Sequence, residues 1–227
     1  MGRPEVFYAE VLNDENASVN NLVDLSKLPP YDIPEDEIHQ GNFIVIDPAT
    51  DKANADAVSI MYFEVHDAVP VCKKLIEGRL SPGDTIVESL KIALSKNCRV
   101  IAIESNAYQY TLNYWFNYIC AQRGIIGIEA VEVYSGAYSK NSRILTMFKQ
   151  LLAGEIRVHP GCTGPVNLQI TAFNPLKRDN TDGLLDCLTY APKVIELYGH
   201  LLNAYTVIEE QTVGNRRVWD ELENAAF

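Results

Sequence analysis

No apolar run in this 227-residue sequence approaches the ~18–20 residues that a bilayer-spanning helix needs. The opening Met1-Gly2-Arg3-Pro4-Glu5 has no apolar stretch behind it, so it does not read as a secretory signal. Basic residues are scarce, with 19 Lys and Arg against 30 Asp and Glu, a net charge of −11. A domain that binds nucleic acid unaided is usually basic, so this balance counts against tight autonomous binding. It is compatible with a local carboxylate cluster, or with a domain delivered to its substrate by a larger assembly. The first 40 residues bias the total, because Asp32, Glu35, Asp36, Glu37 and other acids there face only Arg3 and Lys27. The five cysteines (Cys72, Cys98, Cys120, Cys162, Cys187) form no CxxC pair. That spacing excludes a zinc ribbon and suggests reduced thiols in a cytosolic protein. No G-x-x-x-x-G-K-[ST] is present, so the sequence holds no P-loop ATPase. Internal repeats and low-complexity runs are also absent.

The apolar fraction of 47% suits a well-cored globular chain. Residues 1–40 read as a lead-in: a strand or short helix over 6–12, polar residues 13–21, then an acidic stretch broken by Pro29, Pro30 and Pro34. Strands are predicted over 43–46, 57–65 and 68–76, the last two joined by a tight turn at His66-Asp67. Pro70 is tolerable near the start of the third. Ser81 and Pro82 open a helix to about Ser95. A buried strand follows over 99–103, then a helix over 108–122 closed by Gly124. A strand over 126–133 and a helix over 140–153 ending at Gly154 come next. Segments 156–159 and 167–173 read as a hairpin around Pro160-Gly161-Cys162-Thr163-Gly164. A final helix spans 182–202, with Pro192 as a kink, and the tail after Glu209 is polar. Three antiparallel strands, then alternating helices and strands, is the order of an α/β ribonuclease H-like fold: a mixed central sheet flanked by helices, here with an added β-hairpin.

Three acidic positions stand out. Asp47 ends the run Phe43-Ile44-Val45-Ile46, and Glu104 ends Val100-Ile101-Ala102-Ile103. A carboxylate at the tip of a buried strand is costly to place. Asp179, Asp182 and Asp186 surround the start of the last helix, where residues four apart share a face. Carboxylates converging from separate elements suit Mg²⁺, and two ions ~3.5–4 Å apart are the arrangement for phosphodiester hydrolysis. Each acid also has a plain structural reading: Asp47 as a turn acid before Pro48, Glu104 as a cap, Asp182 as an N-cap. Tyr110, Tyr114, Trp115 and Tyr118 offer faces on which bases could stack, though their helical spacing fits core packing better.

Residues 42–203 resemble the nuclease domain of the large terminase subunit of tailed bacteriophages, the motor that packages and cuts concatemeric DNA. The resemblance rests on FIVIDPATDKANADAVSI, VIAIESN, KNSRI and LQITAFNPLKRDNTDGLLDCLTYA, in that order. It implies an endonuclease with two Mg²⁺ or Mn²⁺ ions, cutting with little sequence preference. Asp47, Glu104 and Asp182 would be catalytic and metal-binding, with Asp186 a further ligand and Asp179 the remaining alternative. Where many members carry adjacent acids, this chain has Asp182-Gly183. Lys140, Arg143, Lys177 and Arg178 would hold DNA phosphates, and Arg157 on the hairpin could do similar work; His159 could be a ligand or proton relay, though such a histidine is more often a plain strand-end residue. The implied partners are double-stranded DNA, a terminase ATPase domain, the small terminase subunit and the portal, in the host cytoplasm and away from membranes. Residues 1–40 would end an ATPase region, 41–209 would form the nuclease and 210–227 a loose tail; a separately encoded nuclease is the alternative. Competing readings are a junction resolvase or recombinase of the same fold, and a non-catalytic packaging-assembly module.

Overall fold

The structure, a computed structural model, describes residues 22–48, 57–104, 109–177 and 180–202. The segments predicted over 6–12 and after Glu209 lie outside them. Strands β1 (Gly41–Asp47), β2 (Val58–His66) and β3 (Val69–Gly78) form an antiparallel meander. Strand β4 (Val100–Glu104) runs parallel to β1, and β5 (Glu129–Val133) parallel to β4. Strand β6 (Arg157–Val158) adds in parallel to β3, giving the order β5-β4-β1-β2-β3-β6.

Five α-helices cover this sheet among the described residues: α1 (Pro82–Ser95), α2 (Gln109–Arg123), α3 (Lys140–Ala153), α4 (Pro160–Ala172) and α5 (Gly183–Tyr198). Successive β1 side chains serve opposite faces. Phe43 and Val45 join the core made with α3, α4 and α5, while Ile44 and Ile46 join the one made with α1 and α2. Burial on both faces explains why β1 and β4 are apolar throughout rather than alternating. Each such side chain contributes ~1.5–3 kcal/mol when fully buried. None of the described helices is long and apolar enough to cross a membrane.

Local chemistry sets the boundaries. Ser81 and Asp84 close a reciprocal capping box on α1, with Pro82 in its first turn. Gly154 ends α3 at φ 75°, the left-handed conformation that favours glycine. The β2–β3 turn lies at Asp67-Ala68, one residue beyond the predicted place, with φ of 50° and 63° at its two central residues. Positive φ at both is the signature of a turn whose twist matches the hairpin. The final helix gives way to a 3₁₀ turn, Gly199–Leu201, so the predicted span of 182–202 holds two elements.

Two expectations fail. The hairpin over 156–173 is instead the two-residue β6 and the helix α4. Pro160 sits at the first helical position, and His159 Nδ1 accepts the Gly161 N–H as a cap. Cys162, Val166, Gln169 and Ile170 are buried at helical spacing. The aromatic helix α2 also differs from the expected core packing. Leu112, Phe116 and Cys120 are buried, but Tyr114, Trp115 and Tyr118 are exposed and contact one another.

The second half of the lead-in lies against the sheet domain. Val23 joins the core, and Leu22, Leu25 and Leu28 pack on it.

Candidate active site

Parallel pairing of Ile46 with Ile103 places the next residues, Asp47 and Glu104, side by side at the carboxyl ends of β1 and β4. This edge is where open α/β sheets commonly hold their ligands. The start of α5 reaches the same edge. Its Leu184 N–H is satisfied by Gln169 Oε1 of α4 at 3.0 Å, so Asp182, at the N-cap position, makes no side-chain cap. The capping role open to Asp182 on sequence is therefore taken by Gln169. Asp186 lies in the first turn, where the helix dipole favours an acid.

Helix α3 supplies the cations. Lys140 Nζ lies 2.7 Å from Asp182 Oδ1 and 2.6 Å from Asp186 Oδ2. Arg143, one turn on, contacts Asp186 at 3.5 Å and donates to the Tyr190 hydroxyl. Its guanidinium sits over the Tyr190 ring, 5.1 Å from the centroid. Tyr190 in turn donates to Glu104 Oε1 at 2.5 Å. Asp186, Arg143, Tyr190 and Glu104 thus form one chain of contacts across the site. Arg143 is only 13% exposed and turns inward, whereas Lys140 is half-exposed. Lys177 is exposed on the loop before α5; Arg178 and Asp179 lie outside the described residues.

The acids carry the electrostatic strain of crowding. Burial, then the hydrogen bond to Glu104 and the charges of Glu104 and Asp186, hold the Asp47 carboxyl well above the usual carboxylate range. Burial pushes Asp186 up to about 6 against the pull of Lys140. Burial opposes the Lys140 ammonium, but Asp186 and Asp182 overcome it and raise its pKa. Lys140 is therefore the counter-ion that lets these acids sit together.

The donor chemistry fits a hard divalent cation, since Asp47, Glu104, Asp182 and Asp186 offer carboxylate oxygens on one edge. Ser59, opposite Asp47 in the ladder, is fully buried, and its hydroxyl has no hydrogen-bond partner. A hydrated ion would give that hydroxyl a partner. Among the described residues, no three acid, histidine or cysteine side chains are already drawn to one point. Two of the four acids are on Lys140 instead.

Gly183 accounts for the missing adjacent acid. A Cβ there would lie 2.5 Å from Ser59 Oγ and 3.1 Å from Asp47 Oδ2. The Ser59 hydroxyl fills the space that a side chain after Asp182 would need. Ser59, Gln169 and Tyr190 were not singled out by sequence. Tyr190 stands four residues after Asp186, on the same helix face, and Ser59 is a lone hydroxyl in an apolar strand; both are signals of a kind.

No family model matches the sequence, and no curated protein matches it significantly. Solved structures do match the fold. The P22 large terminase nuclease domain superposes with a TM-score of 0.55 at 12% identity, over 82% of this chain and 94% of that one. The human cytomegalovirus terminase nuclease domain gives 0.51 at 11% identity, over 89% and 98%. The large terminase of a thermophilic bacteriophage gives 0.55 at 10% identity, over 78% of this chain and 45% of its own length. The chain thus spans less than half of that terminase. At these identities the likeness establishes the fold: a ribonuclease H-like sheet of the terminase nuclease type.

Proposed function

We propose that the chain is a metal-dependent DNA endonuclease that cuts concatemeric viral DNA during genome packaging, with little sequence preference. The observation that carries this reading is the meeting of Asp47, Glu104, Asp182 and Asp186 on one sheet edge, within a terminase-nuclease fold. Those four residues would hold two Mg²⁺ or Mn²⁺ ions. When bound, the ions supply Lewis acidity and charge neutralisation at the phosphodiester.

The remaining roles belong to the chain. Tyr190, steadied by Arg143, fixes the Glu104 carboxylate. Gly183 and Ser59 set the space beside Asp47. Lys140 balances the acids of the metal-free site, and its half-exposed ammonium is within reach of solvent, where it would meet a DNA phosphate. Lys177 and Arg178 would hold DNA phosphates, as the terminase resemblance implies. Arg143 serves the site from within, since Asp186 and Tyr190 already engage it.

The wider reading follows the terminase likeness. Residues 1–40 would lead in from an ATPase region, 41–209 would be the nuclease and 210–227 a tail. The partners would be double-stranded DNA, the ATPase domain, the small terminase subunit and the portal, in the host cytoplasm. Plasmid digestion with Mg²⁺, Mn²⁺ or chelator tests the activity. Metal-dependent nicking by the wild type, lost in Asp47→Ala with the fold intact, is expected; full activity in that variant would sink the reading. Absence of Mn²⁺ binding by calorimetry would favour a non-catalytic assembly module.

A further inference from the structure

At the opposite end of the sheet, far along the β3 edge, a second charged cluster joins the lead-in to the domain. Val71 pairs with Arg157 and Cys72 with Val158, which sets Lys73, Arg157 and His159 close together on β3, β6 and the start of α4. Residues 31–37 of the lead-in lie across them. Asp32 pairs with Arg157. One carboxylate, that of Glu35, spans Lys73 at 3.2 Å and His159 Nε2 at 2.7 Å. The Tyr31 hydroxyl accepts from Lys73 at 3.0 Å.

Three features mark Lys73, Arg157 and His159 as the permanent half of this contact. The donors are seated in the domain, 13%, 29% and 25% exposed for Lys73, Arg157 and His159; Asp32 and Glu35 stand 67% and 71% exposed. Arg157 Nε is buried without a hydrogen-bond partner, so Asp32 does not use all that the guanidinium offers. His159 Nδ1 accepts the Gly161 N–H, which leaves Nε2 as a donor aimed at the carboxylate even in the neutral ring. Exposed ion pairs add little stability, and a cleft lies behind residues 28–31, between them and α4. A carboxylate held by an ammonium, a guanidinium and an imidazole N–H occupies the place of a phosphate oxygen.

We propose that Lys73, Arg157 and His159 form a second DNA-backbone site, masked by the acidic lead-in, whose Asp32 and Glu35 stand in for phosphates. The proposal rests on DNA being the partner, as in the nuclease reading. From the ladder, the patch is roughly 20 Å from Asp47, a span that a bound duplex covers with phosphates throughout. Displacing the lead-in therefore adds a foothold away from the cutting edge.

The test uses a labelled linear duplex and the full chain in chelator, so that cutting does not enter. Asp32→Asn with Glu35→Gln should tighten binding several-fold and steepen its salt dependence by about 2 to 3. Adding Lys73→Gln and Arg157→Gln should return both to wild type. Glu129→Gln with Glu196→Gln removes the same two charges from exposed positions outside the lead-in and should tighten binding much less. Unchanged or weaker binding in the first variant overturns the proposal, and so does a gain that survives loss of Lys73 and Arg157. Tightening for tripolyphosphate but not for duplex overturns the assignment to DNA. Thermal unfolding checks that each variant folds. Metal-dependent nicking by the wild type, scored separately, carries the nuclease reading alone.

Discussion

At the Asp47 end of the sheet, four carboxylates meet two cations, and Asp182, Asp186 and Arg143 are nearly buried. At the other end, Asp32 and Glu35 lie exposed over half-buried Lys73, Arg157 and His159, with Glu64 a further carboxylate 4.0 Å from Lys73. Both clusters are held by similar contacts, yet burial and imbalance separate them. The first raises the pKa of Asp47 and Asp186 and leaves the Ser59 hydroxyl without a partner. The second lowers that of Glu35, through hydrogen bonds from His159 and Lys73. Under the nuclease proposal, crowded like charges that the fold must tolerate belong to a divalent cation; under the second proposal, paired charges at the surface belong to a contact that opens.

The largest effect should come from Asp47→Asn. Metal-dependent nicking should fall to background, while the metal-free protein should melt higher, because a buried carboxylate facing Glu104 and Asp186 has been neutralised. Each kcal/mol gained would appear as ~2–4 °C. A lower melting midpoint would break the contrast between the two ends.

Tyr190→Phe should come next. It keeps the ring under Arg143 and removes the hydroxyl that holds Glu104. Mn²⁺ affinity by calorimetry should drop by ~10–100-fold, with duplex binding in chelator unaltered. Unchanged Mn²⁺ affinity would show that Glu104 needs no such support.

Gly183→Ala should cost about 1–3 kcal/mol in denaturant unfolding, since its Cβ overpacks Ser59 and Asp47. Ser59→Ala in the same chain should recover much of that loss; an additive double mutant would mean the strain lies elsewhere. The smallest change is expected from Asp32→Asn with Glu35→Gln, which should leave the thermal midpoint within about 2 °C of wild type. A larger fall would make the lead-in a structural clamp.

Much of this was legible in sequence because apolar runs and their terminal acids obey simple costs. Asp47 and Glu104 had to end buried strands, and the strand order made those strands neighbours. Helix α4 was missed because Pro160, Gly161, Gly164 and Pro165 look like turn chemistry. Only the four-residue spacing of Cys162, Val166 and Ile170 argued otherwise. The direction of a cation is a tertiary matter: nothing in KNSRI says that Arg143 turns toward Tyr190 rather than solvent. The exposed Tyr114, Trp115 and Tyr118 likewise share a helix with buried Leu112 and Phe116, so aromatic content alone did not reveal the outward face.

The proposed site draws its acids from residues 47, 104, 182 and 186, and the last two arrive with α5, Asp182 at its N-cap position and Asp186 in its first turn. During synthesis from the N-terminus, β1 and β4 can pair while α5 is still unmade. A nascent or truncated chain then holds two of the four acids on a sheet whose α3–α5 face is not yet closed. Under the nuclease proposal, chemistry at this edge would thereby be tied to completion of the fold, because Asp182 and Asp186 arrive only with α5.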